Sequence, residues 1–101
     1  IHIIDLSEAH VTALDYVNKN TGINYFNIGT GKGVSVLELI KTFEKVSGFK
    51  IPLKITKRRE GDSAICFANP KKANDILKWQ ANYDLYDMCE SAWNFVKNNK
   101  K

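Results

Sequence analysis

The run Lys57-Arg58-Arg59-Glu60-Gly61-Asp62 is the densest group of side chains able to bind something. Arg58 and Arg59 point in opposed directions if the chain is extended, so at most one of them need face a site. A guanidinium grips a phosphate through two parallel hydrogen bonds, which an ammonium cannot match. Asp62, beyond the flexible Gly61, is spaced to accept hydrogen bonds from sugar hydroxyls. Phosphate and ribose held side by side describe a nucleotide diphosphate site. A solvated basic surface loop explains the same residues without any ligand.

Gly29-Thr-Gly-Lys-Gly33 is a second candidate, because it follows a β-rich run and precedes a helix, the setting of a phosphate-cradling loop. Its spacing is G-x-G-x-G rather than G-x-G-x-x-G. The next apolar run, Leu53–Thr56, ends without an acidic residue for a ribose. A P-loop fails as well, since Lys32 is followed by Gly33 and not by Ser or Thr. The reading favoured is a tight turn between strand and helix. Cys66 and Cys89, with only His2 and His10 as further soft ligands, make no zinc spacing. Both cysteines read as small packed side chains, and nothing suggests a secreted disulfide scaffold, so a reducing cytoplasm is the expected compartment. His10 reads as a surface or interface residue, and Trp79 and Trp93 as packing anchors.

The elements that must position these residues follow from periodicity. Asp5-Leu-Ser-Glu8 predicts a helix start, with Leu6, Ala9, Ala13, Leu14 and Val17 at helical spacing and Asn20-Thr21-Gly22 as its stop. Ile1–Ile4 reads as the end of a strand. Ile23–Ile28 predicts a short strand, and Ser35-Val-Leu-Glu38 a capping box for a helix closed by Gly48. Ile51, Leu53 and Ile55 alternate as a half-buried strand does, and Ala64–Ala68 is a further short apolar run. Asn69-Pro70 opens a helix through about Leu77, Asp84 caps the last helix, and Lys97–Lys101 is expected to fray. The expected fold class is α/β (α+β), a small mixed piece of about four helices and two to four short strands.

The 101 residues fit a single domain, and 44% hydrophobic with 11% aromatic content argues against wholesale disorder. The net charge of +4 admits phosphate-bearing partners without demanding them. No run approaches the ~18 apolar residues of a membrane span. Single-stranded nucleic-acid binding needs exposed aromatics interleaved with basic groups, whereas the tyrosines and phenylalanines here fall mostly on faces expected to be buried. Opening on Ile1 in mid-pattern, the chain reads as a fragment.

Taken in order, Ile-His-x-x-Asp-Leu (1–6) with His10, Tyr-Phe-Asn-Ile-Gly-Thr-Gly-Lys-Gly-x-Ser (25–35), Arg-Arg-Glu-Gly-Asp (58–62), Ala-Asn-Pro-x-x-Ala (68–73) and Leu-Lys-Trp (77–79) resemble the C-terminal third of the UDP-glucose 4-epimerase family, which are extended short-chain dehydrogenases/reductases. The resemblance covers essentially the whole chain. It implies that residues 1–101 form one substrate-binding domain fragment, with the NAD-binding Rossmann domain outside the chain. It also implies that Arg59 contacts the UDP diphosphate, Asp62 the uridine ribose, and Cys66 the wall of the hexose pocket. A small residue at that last position goes with acceptance of N-acetylhexosamines.

The family's Gly-x-x-Gly-x-x-Gly loop and its catalytic Tyr-x-x-x-Lys are absent from this sequence, where Tyr16 is followed by Lys19, one position short. The resemblance therefore implies NAD in the intact enzyme, none bound to this chain, and no epimerase activity from this chain alone. Its expected partners are a UDP-hexose and the Rossmann domain, with no nucleic acid and no membrane. Faces left open by the absent domain are expected to allow self-association. The alternatives are a free-standing nucleotide- or anion-binding module and a basic nucleic-acid interaction domain.

Overall fold

The computed structural model describes residues 1–99; Lys100 and Lys101, part of the tail expected to fray, lie outside the described residues. Three α-helices are formed: α1 (Ile3–Lys19), α2 (Val36–Ser47) and α3 (Leu85–Asn98). A five-residue π-helical turn, Ala73–Leu77, stands between α2 and α3.

The helix starts follow from hydrogen-bond accounting, since the first N–H groups of a helix have no partner within it. Ser35 accepts from the Glu38 N–H while the Glu38 carboxylate accepts from the Ser35 N–H, the capping box read from the sequence. Gly48 ends that helix in the left-handed region. Asp84 and Asp87 make the same reciprocal pair at the start of α3. The Asp87 backbone N–H holds the Asp84 carboxyl below its ordinary pKa. This part of the cap is complete at neutral pH and is lost as pH falls through that depressed value.

The start of α1 departs from expectation. His2, not Asp5, is the N-cap: its ring Nδ1 accepts the Ile4 N–H at 3.0 Å, so Ile3 and Ile4 are the first turn of the helix rather than the end of a strand. Asp5 is instead fully buried. Its carboxylate accepts the backbone N–H groups of Asn82, at 3.0 and 3.1 Å, and of Tyr83, at 2.9 Å. The Trp79 indole donates to the Asp5 carbonyl at 3.1 Å. His2 stacks on Tyr83 with ring centroids 4.5 Å apart, and its Nε2 lies 2.8 Å from Ser91 Oγ. Since Nδ1 accepts, the ring is the Nε2–H tautomer and Ser91 is the acceptor. The two ends of the chain are thus joined through residues more than seventy positions apart.

Ala9, Ala73, Leu77 and Trp79 form the core, with Ala13, Tyr16, Phe26, Ile28 and Ala81 packed against it. Tyr16 and Phe26 meet edge to face at 5.6 Å. The small residues Ala9 and Ala73 let α1 and the π-helical turn approach closely. The turn has to close within one residue of Leu77, and Lys78 adopts a left-handed φ of 56° to deliver Trp79 into the core. A second packing unit joins α2 and α3, with Phe49 against Trp93, and Cys89 of α3 is buried. Burial pushes the Cys89 thiol up, so it stays protonated at neutral pH and serves packing.

The mixed α/β expectation is corrected in one respect, because the described residues contain helices and no strand. Residues 23–28 do alternate, with Phe26 and Ile28 inward and Ile23 and Tyr25 outward, as the pattern required. Residues 51–56 and 64–68 carry no regular secondary structure, with a bend at Ala64, and none of these runs pairs in a ladder. A strand needs a hydrogen-bonding neighbour along its edge, and periodicity alone does not supply one. A second correction concerns aromatics: Tyr25, Phe49, Phe67, Tyr86 and Phe95 are exposed, not buried. The chain is accordingly open, with a radius of gyration of 16.9 Å against about 13 Å for a compact domain of this length.

Replacing Asp5 by Ala leaves two backbone donors unpaired in a closed site. Urea denaturation of Asp5→Ala is expected to show a loss of roughly 3 kcal/mol, whereas His10→Ala, on the exposed side of α1, stays within about 0.5 kcal/mol of the parent.

Candidate functional site

Residues 59–62 form a closed turn on an otherwise extended, exposed segment. The Asp62 N–H donates to the Arg59 carbonyl at 3.2 Å, which closes the four-residue loop. Asp62 Oδ2 accepts both the Arg59 backbone N–H, at 3.1 Å, and the Arg59 Nε–H, at 3.3 Å. Gly61 takes φ +86°, a left-handed conformation that costs glycine little and other residues more. The Arg59 side chain is 87% exposed, so the ion pair itself adds little to stability. What the turn fixes is geometry: a guanidinium and a carboxylate held side by side at the surface. Arg58 is also exposed.

Cys66 is exposed and does not fill a packed strand, contrary to the packing reading. With Ala64 and Ile65 it lines a cleft of about 270 Å³ whose far wall is Gly33, Val34 and Ser35. The thiol is therefore placed opposite the start of α2. The structure brings Arg59 and Asp62 into contact with each other, and Cys66 belongs to a neighbouring stretch of the same extended segment. That far wall, residues 33–35, escaped the sequence reading as a site, although Gly33 was in view as the end of the glycine turn and Ser35 as a helix cap.

The glycines at 29 and 33 face close neighbours. A side-chain carbon on Gly29 would sit 2.9 Å from the Ala68 Cβ, and one on Gly33 would sit 3.1 Å from the Phe67 ring. These glycines are small so that the segment at Phe67 and Ala68 can pass against them. Close packing accounts for glycine at these two positions, in keeping with the reading as a tight turn. Among the described residues no cluster of metal-ligating side chains is present, and no described helix is long and apolar enough to cross a membrane.

The site is thus an exposed guanidinium and carboxylate joined in one turn, with a cleft on the neighbouring stretch, carried on an open helical chain. No family model matches the chain. Two solved epimerase structures superpose on it closely. A UDP-glucose 4-epimerase from Stenotrophomonas maltophila, solved with bound NAD and formylated UDP-arabinopyranose, gives a TM-score of 0.91 at 42% identity, covering 97% of this chain and 29% of that one. The UDP-Glc/GlcNAc 4-epimerase of Campylobacter jejuni gives 0.86 at 39% identity, covering 97% and 30%.

Sequence relatives agree. UDP-glucose 4-epimerase of Bacillus subtilis is 48% identical over 99 residues, 98% of this chain and 29% of the relative. The human UDP-glucose 4-epimerase is 46% identical over 99 residues, 98% and 28%. The chain is homologous to the C-terminal part of the UDP-glucose 4-epimerases and spans less than a third of their length.

The close approach at Gly29 is testable without any ligand. Gly29→Ala drives a methyl into Ala68 and is expected to destabilise by about 1–3 kcal/mol in a urea melt. The paired variant Ala68→Gly in the Gly29→Ala background is expected to restore part of that loss by vacating the contact.

Proposed function

We propose that this chain is the UDP-sugar-holding part of an NAD-dependent UDP-glucose/UDP-galactose 4-epimerase. The observation that carries the reading is the Arg59–Asp62 turn, which presents the charge for a diphosphate and the acceptor for a ribose a few ångströms apart. Arg59 would counter the diphosphate charge through a charge-assisted pair of hydrogen bonds. Asp62 would accept from the ribose hydroxyls. Cys66, opposite residues 33–35, would form part of the hexose wall.

Redox chemistry at the sugar is assigned by this reading to residues outside the chain, because the sequence carries neither the Gly-x-x-Gly-x-x-Gly loop nor the Tyr-x-x-x-Lys. NAD belongs with that other part of the protein, and this chain alone is inactive as an epimerase. The outward apolar residues Val11, Leu14 and Val17 on α1 and Ile23 and Tyr25 beside it are the surfaces on which a Rossmann domain would rest. The compartment proposed is the cytoplasm.

Hexose range follows from volume. The Campylobacter jejuni neighbour is described as a UDP-Glc/GlcNAc 4-epimerase. A thiol at position 66 leaves room beside C2 of the sugar that a phenol would fill, so acceptance of UDP-N-acetylhexosamines is part of the proposal. In the intact enzyme, Cys66→Tyr is expected to remove turnover of UDP-N-acetylglucosamine while keeping that of UDP-galactose. Equal loss of both, or no N-acetyl activity in the parent, contradicts the assignment.

Binding separates the reading from its alternatives. Calorimetry is expected to show UDP binding weakened about tenfold or more by Arg59→Ala. Binding of an oligonucleotide with a steep salt dependence, together with indifference to UDP, would instead indicate a nucleic-acid domain. That arm is needed because the exposed aromatics remove the sequence argument against it.

A further inference from the structure

We infer that Asp62 is a positioning residue for Arg59 as well as a ligand for the sugar, its two carboxylate oxygens dividing the work. The inference rests on the UDP reading above and adds a role which that reading does not need. Each hydrogen bond in the turn that reaches the carboxylate lands on Oδ2: one from the Arg59 N–H at 3.1 Å and one from Arg59 Nε–H at 3.3 Å. Among the described residues none lands on Oδ1, and none is made by the terminal nitrogens of Arg59.

A guanidinium has two hydrogen-bonding edges, one that includes Nε and one formed by the two terminal nitrogens. With Nε turned onto Asp62, the terminal edge faces away from the carboxylate, and that edge matches a phosphate bidentately. An arginine side chain has considerable rotamer freedom to lose on gripping a ligand, and holding it beforehand removes part of that cost. The backbone shares in the arrangement, because the Asp62 N–H to Arg59 carbonyl bond and the left-handed Gly61 close the loop around the same carboxylate. Glu60, in the middle of the loop, is exposed and makes no hydrogen bond to Arg59 or Asp62.

Simple electrostatics predicts the opposite effect of Asp62 on a bare anion. A carboxylate beside the site repels a diphosphate, so on charge alone its removal tightens binding. Positioning predicts that its removal loosens binding. Inorganic pyrophosphate, which has no ribose, separates the two, and Asp62→Ala and Asp62→Asn are matched in charge. Asn keeps one carbonyl oxygen able to accept from Arg59 N and Nε, whereas Ala keeps none.

The experiment is calorimetric titration of the intact protein carrying this segment with UDP and with inorganic pyrophosphate, using Arg59→Ala, Asp62→Ala, Asp62→Asn and the Arg59→Ala/Asp62→Ala double variant. Circular dichroism checks that each is folded, which the exposed position of the turn favours. The expected result is pyrophosphate binding about five-fold weaker in Asp62→Ala than in both the parent and Asp62→Asn, with no further loss when Asp62→Ala is added to Arg59→Ala. UDP binding falls in both Asp62 variants. Equal pyrophosphate affinity in Asp62→Ala and Asp62→Asn, or tighter binding than the parent in both, overturns the positioning role and leaves the UDP reading standing. UDP binding indifferent to Arg59→Ala overturns the UDP reading and this inference with it.

Discussion

A carboxylate taken out of water must be met by donors, and at Asp5 the donors come from the far end of the chain. The backbone N–H groups of Asn82 and Tyr83 converge on it, and the Trp79 indole converges on its carbonyl. These bonds fix where the stretch after Trp79 runs, and so where α3 begins. The same contacts seat Trp79 against Ala9 and Ala73 and thereby hold the π-helical turn on α1. His2 adds a stack on Tyr83 and a hydrogen bond to Ser91. With so few buried apolar residues, a segment this open depends on that polar junction more than a compact domain would.

The sequence conveyed local features well and long-range ones poorly. The Ser35–Glu38 and Asp84 caps and the Gly48 stop depend on neighbours within a few positions, and each stands where the pattern put it. Asn69 does accept from the Lys71 N–H, but the helix expected from Asn69-Pro70 is largely a π-helical turn, Ala73–Leu77. Asp5 was misread for an instructive reason. An aspartate followed by a glutamate three residues on has the form of a cap, and only burial against Asn82 and Tyr83, distant in sequence, shows its other use. A histidine as N-cap leaves little signal, since serine, threonine, aspartate and asparagine lead at that position. The alternation in residues 23–28 was legible, and the inward and outward faces agree with it; ladder pairing was not, because it depends on an edge that the pattern does not identify.

At the candidate site, Arg59, Asp62 and Cys66 were legible as residue types at a spacing. The turn that joins Arg59 to Asp62 was foreshadowed by Gly61. The wall opposite Cys66 was not, because residues 33–35 are thirty positions away and carry no titratable group. Conversely, the glycine turn invited a cofactor reading that its spacing already weakened, and its contacts with Phe67 and Ala68 give the glycines a packing reason to be small. Small residues there serve close packing. The proposed phosphate contact is instead made by Arg59, in the later segment.

The account places recognition of a UDP-sugar in one exposed turn. A crystal structure of the intact protein with UDP bound tests this most directly. The predicted result is diphosphate oxygens within hydrogen-bonding distance of the terminal nitrogens of Arg59 and ribose hydroxyls on Asp62, with the Arg59–Asp62 contact retained. UDP seated on the Gly29–Gly33 turn, with residues 59–62 facing solvent, would contradict it.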